Sequence, residues 1–197
     1  DDLYFYRGTL GPDWNQSKLK LWAPTANWVR LHIYQSGSSS KSSKTLNMKW
    51  QNGVWEIPIL KDWKNLFYKF EVNLFDPYSN MTISNMVTDP YSISLSTNSK
   101  RSQFIDLSDE DTMPIGWNNY IRSTRAYEDS VIYELHIRDF SMHDSLVANY
   151  KRGKYEAFCE LSSQGNRHLR RLQKAGLTHV HLLPFFDIAT VNEIANE

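Results

Sequence analysis

Two stretches, WVRLHIY (28–34) and FYKFEVNL (67–74), alternate apolar and polar residues with a period of two. That period belongs to half-buried β-strands, because successive side chains leave opposite faces of a sheet. In the first, Val29, Leu31 and Ile33 point one way, and Trp28, Arg30, His32 and Tyr34 the other. In the second, Tyr68, Phe70, Val72 and Leu74 oppose Phe67, Lys69, Glu71 and Asn73. KLKLW (18–22), TLNMKW (45–50) and VWEIPI (54–59) add shorter strand-like runs. The breaks carry turn chemistry: Ala23-Pro24-Thr25, then Asn52-Gly53, a strong hairpin signal. SGSSSKSSK (36–44) reads as a solvated loop. Five or six such strands predict an antiparallel β-sandwich over residues 1–95.

Charge narrows the partners. Lys plus Arg and Asp plus Glu number 22 each, so no basic field argues for nucleic acid or an anionic membrane. No apolar run approaches the roughly 20 residues of a membrane span. Cys159 is the only cysteine, which excludes an intramolecular disulfide and a four-cysteine zinc site. Aromatics reach 14%. That suits strand packing first and sugar stacking second. DDLYFYRG at the start lacks a signal-peptide core, as a matured chain would.

Residues 96–129 lose the strand rhythm and read as a connection lying on a surface, since Phe104, Ile105, Trp117 and Tyr120 are too apolar for a free tether. From residue 130 the pattern is strand (131–138), loop, helix, strand (177–186). In the helix Asn166 is the expected cap, Leu169, Leu172 and Ala175 share a face, and Gly176 closes the end. Strand, helix, strand is a right-handed parallel crossover. One crossover cannot cover both sheet faces, so residues 130–197 read as the opening of a larger parallel barrel or sheet.

Three groups of residues invite a chemical reading. Glu134, His136 and Arg138 in SVIYELHIRDFS are either a catalytic cluster or a paired network filling a barrel wall; their mid-strand position favours the wall. His179 and His181 have metal-ligand spacing, but no third ligand accompanies them in a recognisable pattern. Asp139 and Asp187 end successive strands, where two carboxylates can form a glycosidase pair or simply start loops. Cys159 sits in AFCEL without an evident base and reads as packed.

LKLWAPTANWVRLHIY, GVWEI, YKFEV and VTDPYS together resemble a family 48 carbohydrate-binding module. SVIYELHIRDFS and GLTHVHLLPFFDIATVNE resemble the first two barrel strands of pullulanase-type and limit dextrinase debranching enzymes of glycoside hydrolase family 13. The resemblance implies a multidomain protein: the β-sandwich, the connection, and over 130–197 the first strand–helix–strand segment of a (β/α)8 barrel. It implies retaining hydrolysis of α-1,6-glucosidic linkages in pullulan, amylopectin or limit dextrins. The family's catalytic carboxylates follow later strands, so none is expected in this chain, which is read as inactive alone. A non-catalytic α-glucan-binding protein or truncated pseudoenzyme is the alternative. The remainder of the barrel is the implied partner. No cofactor or metal is expected in these residues, with calcium possible in the intact enzyme. In such modules a lysine in a YKF-like strand meets the glucan, which nominates Lys69, with Phe67 on the same face and Tyr78 nearby. The tryptophans that accompany that lysine have no counterpart here, and Trp55 reads as core. Plastid, periplasmic and secreted locations are not distinguished.

Overall fold

A computed structural model describes residues 6–121, 124–186 and 191–194. The first compact unit runs over Asp1–Trp117 together with Ile188–Glu197, and the second over Asn118–Asp187.

The first unit is built on two antiparallel sheets. One holds β1 (Gly11–Asp13), β2 (Lys18–Leu21), β6 (Val54–Pro58) and β5 (Lys49–Gln51), in that order. The other holds β4 (Lys44–Asn47), β3 (Ala26–Tyr34), β7 (Phe67–Asp76) and β8 (Met81–Val87), with β9 (Ser102–Gln103) also on β7. The inward faces follow the alternation. Val29, Leu31 and Ile33 of β3 and Tyr68, Phe70 and Val72 of β7 are buried, and they share one core with Leu19, Leu21, Trp55 and Ile57 of the other sheet. Trp55 is therefore core, and its Nε1 donates to the Ala23 carbonyl at 3.0 Å. Asn52 and Gly53 both have positive φ, 52° and 81°, as the tight turn between β5 and β6 requires.

Residues 45–50, which alternate like one strand, are two. β4 pairs with β3, whereas β5 pairs with β6 in the opposite sheet. The chain crosses at Met48, which is buried and whose N–H donates to the Val29 carbonyl at 2.9 Å. The sandwich also takes in chain beyond residue 95. Phe104 is fully buried, stacks on Tyr68 at 4.2 Å between ring centroids, and exchanges backbone hydrogen bonds with Asn65 and Leu66. Of the connection's apolar residues, Phe104 completes the core and Ile105 is half-buried, whereas Trp117 and Tyr120 are exposed.

In the second unit β10 (Ile132–His136) pairs in parallel with β11 (His179–Leu183). Between them come α1 (Ile137–Ser141) and α2 (Gln164–Lys174). The first strand is shorter than its alternation: Arg138 and Asp139 belong to the helical turn α1, whose start is capped by the His136 ring, with Nδ1 accepting from the Arg138 N–H at 3.2 Å. The cap of α2 is Ser163 rather than Asn166. Its hydroxyl accepts the Asn166 N–H at 3.2 Å, while the Asn166 amide donates to the Phe158 and Glu160 carbonyls. Gly176, at φ 109°, ends the helix.

Candidate functional site

The outward face of β3 and β7 carries the polar half of the alternation. Register sets His32 opposite Lys69, Arg30 opposite Glu71 and Tyr34 opposite Phe67. Across β3 and β7 the side chains form a charge ladder. The Glu71 carboxylate lies 2.9 Å from His32 Nε2 and 3.8 Å from Arg30, whose guanidinium sits 4.4 Å from the Trp28 ring centroid. Next to the ladder, a groove of about 1160 Å³ is lined by Phe67, Lys69, Met86, Val87 and Arg101, among others.

Arg101 shapes one wall. Its guanidinium stacks on the Tyr34 ring at 3.9 Å and donates to the carbonyls of Ser36 (2.8 Å) and Ser39, which fastens the serine-rich loop beside the sheet. Tyr34, on the outward parity of β3, is buried beneath it. Ile194 lines the groove as well, and Glu193 is held by Asn98: the Asn98 N–H donates to its carboxylate at 2.9 Å, and the Glu193 N–H returns to Asn98 Oδ1 at 2.8 Å. The groove offers a cation, aromatic and aliphatic surface and several hydroxyls, but no tryptophan. It can accept a polyhydroxylated ligand through hydrogen bonds and shallow C–H contact.

The nominated residues are not all together. Phe67 and Lys69 stand side by side on one face of β7 and line the groove. Tyr78 is almost wholly exposed at the turn joining β7 and β8, at the other end of β7. The eight further residues of chain carry it away from Lys69, so the two do not make one platform. Arg101 had no sequence signal, because it reaches the face from outside the strand pair.

In the second unit, Glu134 and His181 face each other across the parallel register, with Glu134 Oε2 2.9 Å from His181 Nδ1. His179 Nδ1 instead meets the Thr178 hydroxyl at 2.7 Å. Among the described residues no group of three or more His, Cys, Asp or Glu is placed to hold a metal ion. Asp139 lies 4.0 Å from His136. Asp187 lies outside the described residues. Cys159 is exposed rather than packed, because the 3₁₀ turn Tyr155–Cys159 directs Ala157 inward instead.

Residues 9–92 match carbohydrate-binding module 48, the isoamylase N-terminal domain. This stretch matches the family 48 module. The match spans β1 to β8 and so contains Lys69 and the outward face. Beyond the module, the likeness continues over almost the whole chain. Pullulanase 1, chloroplastic, of Arabidopsis thaliana is 35% identical over 198 residues, 98% of this chain and 20% of the relative. The pullulanase of Klebsiella aerogenes is 38% identical over 90% of this chain and 17% of its own. The maltotriose complex of PulA from Klebsiella pneumoniae superposes with a TM-score of 0.86 at 37% identity, covering 94% of this chain and 21% of that one. The resemblance to pullulanase-type enzymes is therefore shown, and the chain spans about a fifth of the length of the relatives it matches.

Proposed function

We propose that this chain is the N-terminal portion of a debranching glycoside hydrolase that cleaves α-1,6-glucosidic linkages in pullulan, amylopectin or limit dextrins. The observation that carries the proposal is similarity to a pullulanase over 98% of the chain, across both compact units. A free-standing glucan-binding module would account for residues 9–92 only.

On this reading β10, α2 and β11 open a (β/α)8 barrel. Their exposure supports it. Ile132, Tyr133, Val180 and Leu183 leave apolar surface open, which further strands and helices of a barrel would cover. The Glu134–His181 pair belongs to the barrel wall. The acid and the nucleophile of a retaining mechanism come from the rest of the protein: one carboxyl group protonates the departing glycosidic oxygen, and the other forms the covalent glycosyl-enzyme that water then hydrolyses. Calcium in the intact enzyme stays an expectation of the resemblance.

The module's share of the work is to hold glucan against the outward face, through Lys69 and Phe67. Tyr78 contributes separately, as a lone exposed ring. Without tryptophan in the groove, affinity there is weak, in the millimolar range, equivalent to about −4 kcal/mol. The test is assay of the full-length protein on pullulan and on linear amylose. Cleavage of pullulan with amylose left intact is expected. Cleavage of amylose alone, or of neither, overturns the proposal.

A further inference from the structure

We propose that the outward face of α2 binds phosphate monoesters. Arg167, Arg170, Arg171 and Lys174 recur at i, i+3, i+4 and i+7 along the helix. At about 100° per residue they fall within an arc of roughly 100°, opposite the half-buried Leu169 and Leu172. The helix contains no Asp or Glu. Elsewhere, cations meet carboxylates, as in Lys18–Glu56 at 2.7 Å, Lys64–Asp109 at 2.6 Å and Arg30–Glu71 at 3.8 Å. Among the described residues the four on α2 form no ion pair.

Helix stability explains only part of the arrangement: the dipole favours Arg171 and Lys174 in the last turn. Like charges at i and i+4, Arg167 with Arg171 and Arg170 with Lys174, repel. Arg167 also stands near the positive end of the helix dipole. A bound anion turns both costs into attraction.

The surroundings give the anion a place. The four cations border a concavity of about 630 Å³, which Ser145, Gln164 and Leu146 complete. The backbone at the helix start is already engaged, since Asp144 accepts the Gln164 N–H at 2.6 Å and the Gly165 N–H at 3.4 Å. A ligand is therefore held by side chains. Arginine forks bind phosphate oxygens bidentately, and the three oxygens of a phosphate monoester can engage more than one of these cations at once. The Ser145 hydroxyl, the Gln164 amide and the half-exposed Leu146 side chain suit an attached sugar. Such an ester can arrive as a free sugar phosphate or as a phosphate group borne on a glucan chain.

The inference stands apart from the debranching reading. Its test uses the full-length protein, titrated calorimetrically at low salt with glucose 6-phosphate and with glucose. A second arm compares retention of phosphorylated amylopectin with that of the same polymer after phosphatase treatment. Saturable binding of glucose 6-phosphate, or selective retention of the phosphorylated polymer, is expected; the arm that responds names the source. Arg167→Gln/Arg171→Gln and Arg170→Gln/Lys174→Gln should each weaken that binding about tenfold or more, and added salt should weaken it in the parent. Thermal melts of both double variants should match or exceed the parent without ligand, because repulsion is relieved. No saturable binding in either arm, or binding unchanged in both variants, overturns the proposal.

Discussion

Inside the sandwich the Tyr68 hydroxyl donates to Asp89 Oδ2 at 2.7 Å. The same carboxylate accepts the Tyr91 N–H at 2.9 Å, and the Asp89 N–H donates to the Ser102 hydroxyl at 2.8 Å. One buried acid thus ties β7 and β9 to the VTDPYS segment. Burial raises the Asp89 pKa, and the hydrogen bonds from Tyr68 and Tyr91 only partly oppose it. Burial likewise raises Tyr68, which stays protonated and donating.

The sign of the resulting pH dependence follows. Folded Asp89 holds its proton more tightly than an unfolded aspartate, whose pKa is about 3.9. Its stabilising contribution is present in acid and fades as pH rises through the folded value. The stability of Asp89→Asn minus that of the parent should therefore increase from acid towards neutral pH. Urea denaturation of both proteins across that range checks this; a difference that falls with pH contradicts it.

Asp144 should behave in the opposite way. Burial acts to raise its pKa, but the N–H groups of Leu146, Gln164 and Gly165 outweigh that and hold it below the ordinary value. Its contribution is present above about pH 4 and is lost as pH falls through the depressed folded value. Asp144→Asn should cost about 1 kcal/mol or less at neutral pH, the usual worth of a carboxylate at a helix start, and almost nothing in strong acid. The same denaturation series reads it, and an equal loss at both extremes would argue against the assignment.

Replacing Lys69 with Ala removes one exposed hydrogen-bonding group, which nets about 1 kcal/mol, so glucan affinity should fall about fivefold. Phe67→Ala should add to the loss, and Tyr78→Ala should leave binding at the groove unchanged. Affinity electrophoresis in gels containing amylopectin compares the three. Loss of retention in Tyr78→Ala alone would place the contact at the turn between β7 and β8.

The apolar strand surfaces of the second unit give a further expectation. Val131 and Ile132 are more than half exposed, and Val180 and Leu183 about two-fifths. Patches of this kind mark missing partners or aggregation. Residues 1–197 produced alone should bind a hydrophobic dye and self-associate, unlike the full-length protein. Sedimentation showing a dye-silent monomer would count against a covering barrel.

The sequence was most legible where one face is buried and the other wet. In β3 and β7 the period of two located the core and the outward Lys69 without further information. It failed where tertiary pairing decides. Lys44–Asn47 and Lys49–Gln51 alternate continuously, and only the change of partner sheet at Met48 divides them. Helix starts were shifted because Ser163 and Asn166 both cap well in isolation, and the backbone chose the earlier one. Arg101 joins the groove through a stacked ring and two loop carbonyls, contacts that no local spacing encodes. Tyr78 looked near Lys69 along the chain, but an extended strand separates what a short sequence distance suggests.

The proposed division of labour, in which this chain is one portion of a debranching enzyme, is tested most directly by a side-by-side assay on pullulan. Full-length protein and residues 1–197 are compared for new reducing ends against a buffer blank. The predicted result is release by the full-length protein and none by residues 1–197, because the proposal assigns the acid and nucleophile to the rest of the protein. Release of reducing ends by purified residues 1–197 above the blank would contradict it, and would return attention to Glu134 and Asp139 as catalytic groups.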